Sequence, residues 1–259
     1  MRIVVLIKHV PEPMATWKFA SDGTLDRDAV EGRLSQLDEY AVEQAVRLGE
    51  RGVAAEVTCL TMGPAQAADS LRKALAMGGA KGVHVVDDAL RGSDALSTSL
   101  VLARAIERLG FDLVICGMAS TDAEMSVVPS MLAERLGVAQ ATNASALEVD
   151  GDSVTVRRDT DAGSEEVRVL LPAVVSVTDQ SGEPRYPAFK AIMLARKKPV
   201  ETWSLADVGV APAEVGLAAA ATVMRGTRPR PLRTTGTVVV DSGDAATVLA
   251  DFLAANKFI

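Results

Sequence analysis

From Ile3 to Val10 the chain reads IVVLIKHV, a nearly unbroken aliphatic run that stops at Pro11. A run of that kind suits a strand buried on both faces. Polar residues follow, with a turn signal at Asp22–Gly23. SQLDEYAVEQAVRLGERG then begins at Ser35, with Leu37, Tyr40, Ala41 and Leu48 on helical spacing and Gly49 and Gly52 at its end. Ser35 and Asp38, three residues apart, resemble a capping box. Ala55–Met62 predicts a second buried strand, and GPAQAADSLRKALAMGGA a second helix that starts at Pro64 and stops at Gly78–Gly79. Val83–Val86 predicts a short strand. Ser93 or Asp94 can cap the helix ALSTSLVLARAIERLG, where Leu102, Ile106 and Leu109 share a face. FDLVICG predicts a further buried strand and SVVPSMLAERLG a further helix.

Strands alternating with helices through short connections imply a parallel sheet covered on both faces. The expected class is α/β, doubly wound, with right-handed crossovers limiting the topology. After Gly137 the texture changes. SALEVDGDSVTVRRDTDAGSEEVRVLLPAVVSVTD places DG and AG turns between β-rich runs, which suggests antiparallel strands added to the sheet edge. Beyond Pro199 the periodicity weakens. The expected division is therefore an α/β domain over 1–200 and a C-terminal arm over 201–259. The arm carries Arg225, Arg228, Arg230 and Arg233 among prolines, then a final helix near Asp244–Asn256. With little core of its own, it suits packing against something else, such as a partner subunit.

Composition narrows the function. The 259 residues are 48% hydrophobic and 24% charged, as in a globular protein with a real core, yet only 3% aromatic, so that core must be aliphatic. A net charge of -7 argues against general nucleic-acid binding, which needs clustered cations on phosphate. Cys59 and Cys116 both fall in strand-like runs and read as buried free thiols. His9 and His84 are the only histidines, too few for a zinc cluster. No stretch is long and apolar enough to span a membrane. The first strand leaves no room for a targeting peptide, so the expectation is a cytoplasmic, bacterial protein.

In doubly wound sheets ligands sit at the carboxyl ends of the strands. Three loops qualify: KHVPEP, TMGPAQ and CGMASTDAEMSVVP. The last leads from a buried strand to a helix N-terminus, where unpaired N–H groups favour a phosphate, and Thr121 and Ser126 add hydroxyls. Asp122 and Glu124 oppose an anion. On its residues alone this loop fits an ordinary capped helix as well as a nucleotide site. There is no GxGxxG and no Walker sequence. His9 reads as a structural loop histidine, and no acid–base machinery for catalysis stands out. EPRYPAFKAIMLARKKP, residues 183–199, gathers Tyr186, Phe189 and five cations: Arg185, Lys190, Arg196, Lys197 and Lys198. It can be a loop folded back on its own domain or a contact surface.

Several of these segments together resemble the beta subunit of electron transfer flavoproteins. They are VVLIKHVPEP, LDEYAVEQAVRL, Met62–Ala80, VRRDTDAGSEEVRVLLPAVVSVT and EPRYPAFKAIMLARKKPVE, in order from the first strand to about Gly209. The resemblance implies an adenine-nucleotide alpha-hydrolase-like fold and an electron carrier with no substrate turnover of its own. It implies a heterodimer with an alpha subunit, which mainly holds one FAD. Electrons would come from acyl-CoA and other flavin dehydrogenases and pass to a membrane quinone oxidoreductase. The beta subunit would bury a structural AMP. By that resemblance the phosphate lies in the loop Gly117, Thr121, Asp122, Ala123, Glu124, Met125, Ser126, Val127 and Val128, with further contacts at Leu6, Ser35 and Met62.

Two departures from the family bear on this. Ser35 stands where the family commonly has Asn. Ser126-Val127-Val128-Pro129 stands where it often has Asn-Gln-Thr-Gly, so backbone donors from about Ala123 to Val128 must do more of the holding. The TAQVGP-type loop of relatives with a second FAD is absent, which favours AMP. The resemblance also implies that Pro13 and Leu37 pack near the flavin and that Asp159 meets the alpha subunit. Phe189 falls at the position of a hydrophobic anchor for the dehydrogenase, Tyr186 would pack the base of its loop, and Lys190 and the other cations would steer encounter. The competing expectation is a stand-alone adenine-nucleotide-binding module of the stress-protein kind, homo-oligomeric and without a redox role.

Overall fold

The computed structural model describes residues 1–53, 56–228, 231, 236 and 238–259. Ala55, expected to open the second strand, and Arg230 and Arg233 of the expected arm lie outside the described residues. Two units are present, Met1–Arg225 and Gly226–Ile259.

The first unit begins with β1 (Arg2–Ile7), β2 (His9–Pro11), β3 (Gly32–Leu34) and α1 (Gln36–Glu50). β4 (Glu56–Met62), α2 (Ala67–Met77), β5 (Lys81–Val85), α3 (Ala95–Leu109), β6 (Leu113–Gly117) and α4 (Val128–Leu136) continue the alternation. Then come β7 (Ala139–Ala144), β8 (Ala146–Asp150), β9 (Ser153–Thr160), β10 (Gly163–Leu170), β11 (Ala173–Val177) and α5 (Phe189–Ala195). β12 (Val200–Trp203) and the short α6 (Gly216–Ala219) complete it.

Seven strands form one sheet in the order β12-β5-β4-β1-β6-β11-β7. All six pairings within it are parallel. This is the doubly wound α/β architecture expected from the alternation. Period two sorts its side chains: Ile3, Val5 and Ile7 join Leu113 and Ile115 beneath α1 and α2, while Val4 and Leu6 join Val114 and Cys116 beneath α3 and α4. Cys59 and Cys116 are both buried and free, and burial pushes the Cys59 thiol up to about 12.

Three expectations change. The aliphatic run Ile3–Val10 is not one strand: the sheet hydrogen bonding stops at Lys8, and His9–Pro11 turns to pair antiparallel with β3. The antiparallel strands β8, β9 and β10 pair with one another in a separate three-stranded sheet. β11 instead enters the main sheet between β6 and β7, because all five of its residues are buried and it needs cover on both faces. The boundary near 200 also moves. β12 pairs with β5, and Trp203, Leu205, Val208, Val210 and Val215 are buried in the core against α3.

The second unit holds α7 (Ala245–Ala255), close to the expected final helix. Leu249 and Phe252 on this helix, and Phe258 and Ile259 after it, are exposed. No helix among the described residues is long and apolar enough to cross a membrane.

Candidate functional site

The chain leaves β1 for β4 and β5 on one side, then returns to β6 on the other. The crevice between the carboxyl ends of β1 and β6 is thus the point where the winding reverses, the usual ligand position in open α/β sheets. α1 places its first turn over this crevice. Asp38 accepts the backbone N–H of Lys8, just past β1, at 2.8 Å and that of Gly117, the last residue of β6, at 3.2 Å. One carboxylate therefore ties both strand ends together. A side chain at Gly117 would stand 2.6 Å from Asp38 Oδ1 and 2.8 Å from the Leu37 carbonyl carbon, so only glycine admits the helix this closely. Burial raises the Asp38 carboxyl to about 7, against the two N–H groups and the Lys8 charge, which favour the ion.

The expected capping box at Ser35 is not made. The Asp38 N–H bonds the Ser35 carbonyl oxygen at 3.0 Å, and no side chain caps the helix. The reason is that Asp38 is engaged with the strand ends. Ser35 is buried, and its Oγ finds no partner among the described residues. Thr121 Oγ1 and Thr61 Oγ1 are in the same state. A buried hydroxyl without a partner costs about 1–3 kcal/mol, which a water or a bound polar group offsets.

The structure answers the objection raised by one of the two acids in the loop from β6 to α4. Asp122 is paired with Lys8 Nζ at 2.8 Å and Arg27 Nη2 at 2.6 Å, and its side chain is 2% exposed. Burial would raise its carboxyl, but the charges and hydrogen bonds of Lys8 and Arg27 hold it at about 2. Lys8 also reaches Ser120 Oγ at 3.2 Å. This acid is thus neutralised within the protein. Glu124 and Ser126 both adopt positive φ, 50° and 55°. Alternating left-handed residues of this kind turn successive N–H groups to one side, and the N–H groups of Met125, Ser126, Val127 and Val128 meet no acceptor among the described residues. Ala123 and Glu124 differ: both bond back to Ser120 O. Leu6 is buried and Met62 half-buried on neighbouring strands of the same sheet.

The segment 183–199 forms a second feature, built on α5. Phe189 is 78% exposed at the first position of the helix, and Tyr186 is 93% exposed. Tyr186 therefore does not pack the base of the loop; it borders a groove of about 600 Å³ with Pro187, Ile192, Arg72 and Arg196. The five cations also divide. Arg185 is paired with Glu43 and Glu50, and Lys198 donates to the carbonyls of Leu75 and Gly79. Lys190, Arg196 and Lys197 are exposed and have no acidic partner among the described residues.

Residues 22–208 match the family model described as the electron transfer flavoprotein domain. Over 263 aligned residues the chain is 43% identical to a Mycobacterium leprae protein named electron transfer flavoprotein subunit beta, covering 99% of each. The chain belongs to the electron transfer flavoprotein family, among the beta subunits. A Mycobacterium tuberculosis protein of the same name is 42% identical over 99% of each chain, and one from Clostridium acetobutylicum is 34% identical over 92% of each. As an electron transfer flavoprotein beta subunit, the chain is read as part of an electron carrier, and the stand-alone nucleotide-binding module gives way.

In this electron transfer flavoprotein chain the span matched by the family model includes the β6 side of the switch-point crevice, with α1 over it, and the exposed helix α5. Pro13 is exposed in the loop after β2, beside Met14 at 91% exposure, and Leu37 is half-buried at the first turn of α1. Asp159 is engaged with Ser164 and Arg157 of its own hairpin and with Ser145 between β7 and β8, and those bonds hold its carboxyl at about 2. Sequence reasoning missed Asp38 as a clip, Arg27 as a tether and Thr61 as an orphan. Thr61 carried no signal, since threonine is an ordinary strand residue. A signal for Asp38 existed: an acid in the turn that faces the sheet of an otherwise apolar helix face.

Proposed function

We propose that this chain is the nucleotide-holding and dehydrogenase-docking subunit of a heterodimeric electron transfer flavoprotein. The observation that carries it is the set of unpartnered groups at and beside the switch point: the buried hydroxyls of Ser35 and Thr121, that of Thr61 on the neighbouring β4, and a run of four backbone N–H groups. These fit a mononucleotide. Leu6 and Met62 supply an apolar surface for a base, while Ser35, Thr61 and Thr121 offer hydroxyls to a sugar or base edge. The N–H groups of Met125 to Val128, with the α4 N-terminus behind them, suit a phosphate. Gly117 lets α1 close on the crevice. Ala123 and Glu124 shape the loop by donating back to Ser120 O instead of to the phosphate, and Asp122 anchors it through Lys8 and Arg27. We assign AMP to this pocket, in a structural role.

FAD, one per heterodimer and held mainly by the alpha subunit, supplies the electron-accepting and electron-donating chemistry. This chain contributes apolar surface near the ring from Pro13 and Leu37. It also supplies the exposed Phe189, which seats in acyl-CoA and other flavin dehydrogenases. Tyr186 widens that contact, and Lys190, Arg196 and Lys197 speed encounter with an acidic partner. Asp159 presents its hairpin to the alpha subunit. The apolar side chains of the tail, Leu249, Phe252, Phe258 and Ile259, pack on the alpha subunit as an arm. Electrons pass on to a quinone oxidoreductase, and the complex works in the bacterial cytoplasm without inserting in the membrane or turning over a substrate of its own.

The test is to purify the chain with its alpha subunit, denature the complex and identify what is released. One AMP and one FAD per heterodimer are expected. Two flavins, or no nucleotide beside the flavin, would overturn the AMP assignment; a colourless homodimer would overturn the electron-carrier reading.

A further inference from the structure

α5 has seven residues, and only Ala195 among them is buried. A helix that short is not stable alone, and one buried alanine cannot hold it to a domain. Its position must come from what grips the chain on either side. At the start, Arg185 Nε and Nη2 donate to the two oxygens of Glu43 at 2.8 and 3.1 Å, and Nη1 and Nη2 reach those of Glu50 at 2.5 and 2.9 Å. The Arg185 backbone N–H bonds Glu43 as well, at 3.1 Å. The Glu43 side chain is 3% exposed and also takes Arg47 at 2.7 Å, while Arg47 donates on to the Glu183 carbonyl at 3.2 Å. At the far end, Arg72 donates to the carbonyls of Ala195, Arg196 and Lys198 at 3.0, 3.4 and 3.3 Å. Lys198 Nζ donates back to Leu75 and Gly79 at 2.8 and 2.6 Å.

Both grips run to rigid helices, α1 at one end and α2 at the other. Between them stand Tyr186 and Phe189, which touch little of their own domain. We propose that Arg185 is a positioning residue for docking: its planar fork across Glu43 and Glu50 fixes where Phe189 stands before a dehydrogenase arrives. The proposal rests on the docking role given to Phe189 above. A fork with four N–H bonds on two carboxylates holds direction as well as distance, which a single ammonium would not. An anchor that is already in place spares the complex the entropy of ordering it on contact.

The experiment is a double-mutant cycle in the flavin-loaded heterodimer, with a reduced acyl-CoA dehydrogenase as donor. Arg185→Gln is expected to raise KM for the dehydrogenase about tenfold, with kcat, flavin absorbance and bound nucleotide unchanged. In a Phe189→Ala background the same substitution is expected to add almost nothing, because its effect runs through Phe189. Glu50→Gln, which leaves the buried Glu43 pair intact, should raise KM by a smaller factor and serves if Arg185→Gln fails to fold. An unchanged KM in these variants, or fold-changes that multiply in the double variant, would overturn the positioning role while leaving docking intact. An unchanged KM in Phe189→Ala would instead overturn the docking reading, and the positioning role with it.

Discussion

Asp38 and Asp122 flank the same crevice, and their surroundings drive them in opposite directions. Asp38, raised to about 7 by burial, holds a proton in the folded state that the unfolded chain gives up near pH 4. Its contribution to stability therefore falls as pH rises from about 4 to about 7, at up to about 1.4 kcal/mol per pH unit, and is flat above that. Asp122, held at about 2 against its burial by Lys8 and Arg27, contributes stability above pH 4 that is lost as pH falls toward 2. Urea midpoints measured from pH 2.5 to 8 should show both slopes. Asp38→Asn is expected to flatten the profile between pH 5 and 7, and Asp122→Asn to flatten it below pH 4; a parallel profile in either variant would contradict the assignment. For the nucleotide, Thr121→Val removes an orphaned hydroxyl and should weaken AMP binding about three- to tenfold. Ser126→Ala should be nearly silent, because this loop offers backbone N–H groups where polar side chains are missing. Calorimetric titration of the nucleotide-free complex compares the two.

Among the elements, α5 and its flanks give the sharpest expectations. Phe189→Ala should cost about 2 kcal/mol of docking, roughly a thirtyfold rise in KM for the dehydrogenase, with heterodimer and flavin content unchanged. Lys190→Glu combined with Lys197→Glu should act differently, slowing association and removing its salt dependence. Stopped-flow reduction at several ionic strengths separates the two effects. The sequence announced α1 to α4 and the strands between them, because strands covered on both faces leave unbroken aliphatic runs and helices between them repeat at 3.6. It misled where a local pattern served a distant need. Lys8 ends the first strand although its neighbours stay apolar, because its N–H turns to Asp38. AVVSV looked like one more antiparallel strand after a hairpin, yet its uniform burial is the mark of a central parallel strand. VETW, with two exposed polar residues, carries no such mark, so the sequence pattern does not separate the last strand of the sheet from the tail.

For the whole molecule, the two core clusters are built entirely from residues before 216. A chain ending at Arg225 should therefore fold with an unchanged urea midpoint. If the tail packs on the alpha subunit, the same truncation should abolish the heterodimer, read by analytical ultracentrifugation; a full-strength complex would remove that role from the tail. The proposed nucleotide site follows in outline from the sequence, since the carboxyl ends of β1, β4 and β6 are where ligands of doubly wound sheets sit. Its polar detail does not. Which hydroxyls lack partners, and which acid is neutralised by Lys8 and Arg27, depends on contacts between residues about 30 to 115 positions apart.

α1 has one further consequence. Ser35 just before it and Asp38 in its first turn stand at the crevice, and about one and three turns further along the same rod stand Glu43 and Glu50, which hold Arg185. A helix of 15 residues moves as a stiff body, so any tilt at its beginning is felt at its end. Removing the nucleotide should then loosen the grip on Phe189, and a docked dehydrogenase should tighten nucleotide binding by the same free energy, since linkage is reciprocal. On that account the proposed nucleotide is the fixed stop against which a lever rests, and its affinity is a gauge of electron-donor binding some distance away.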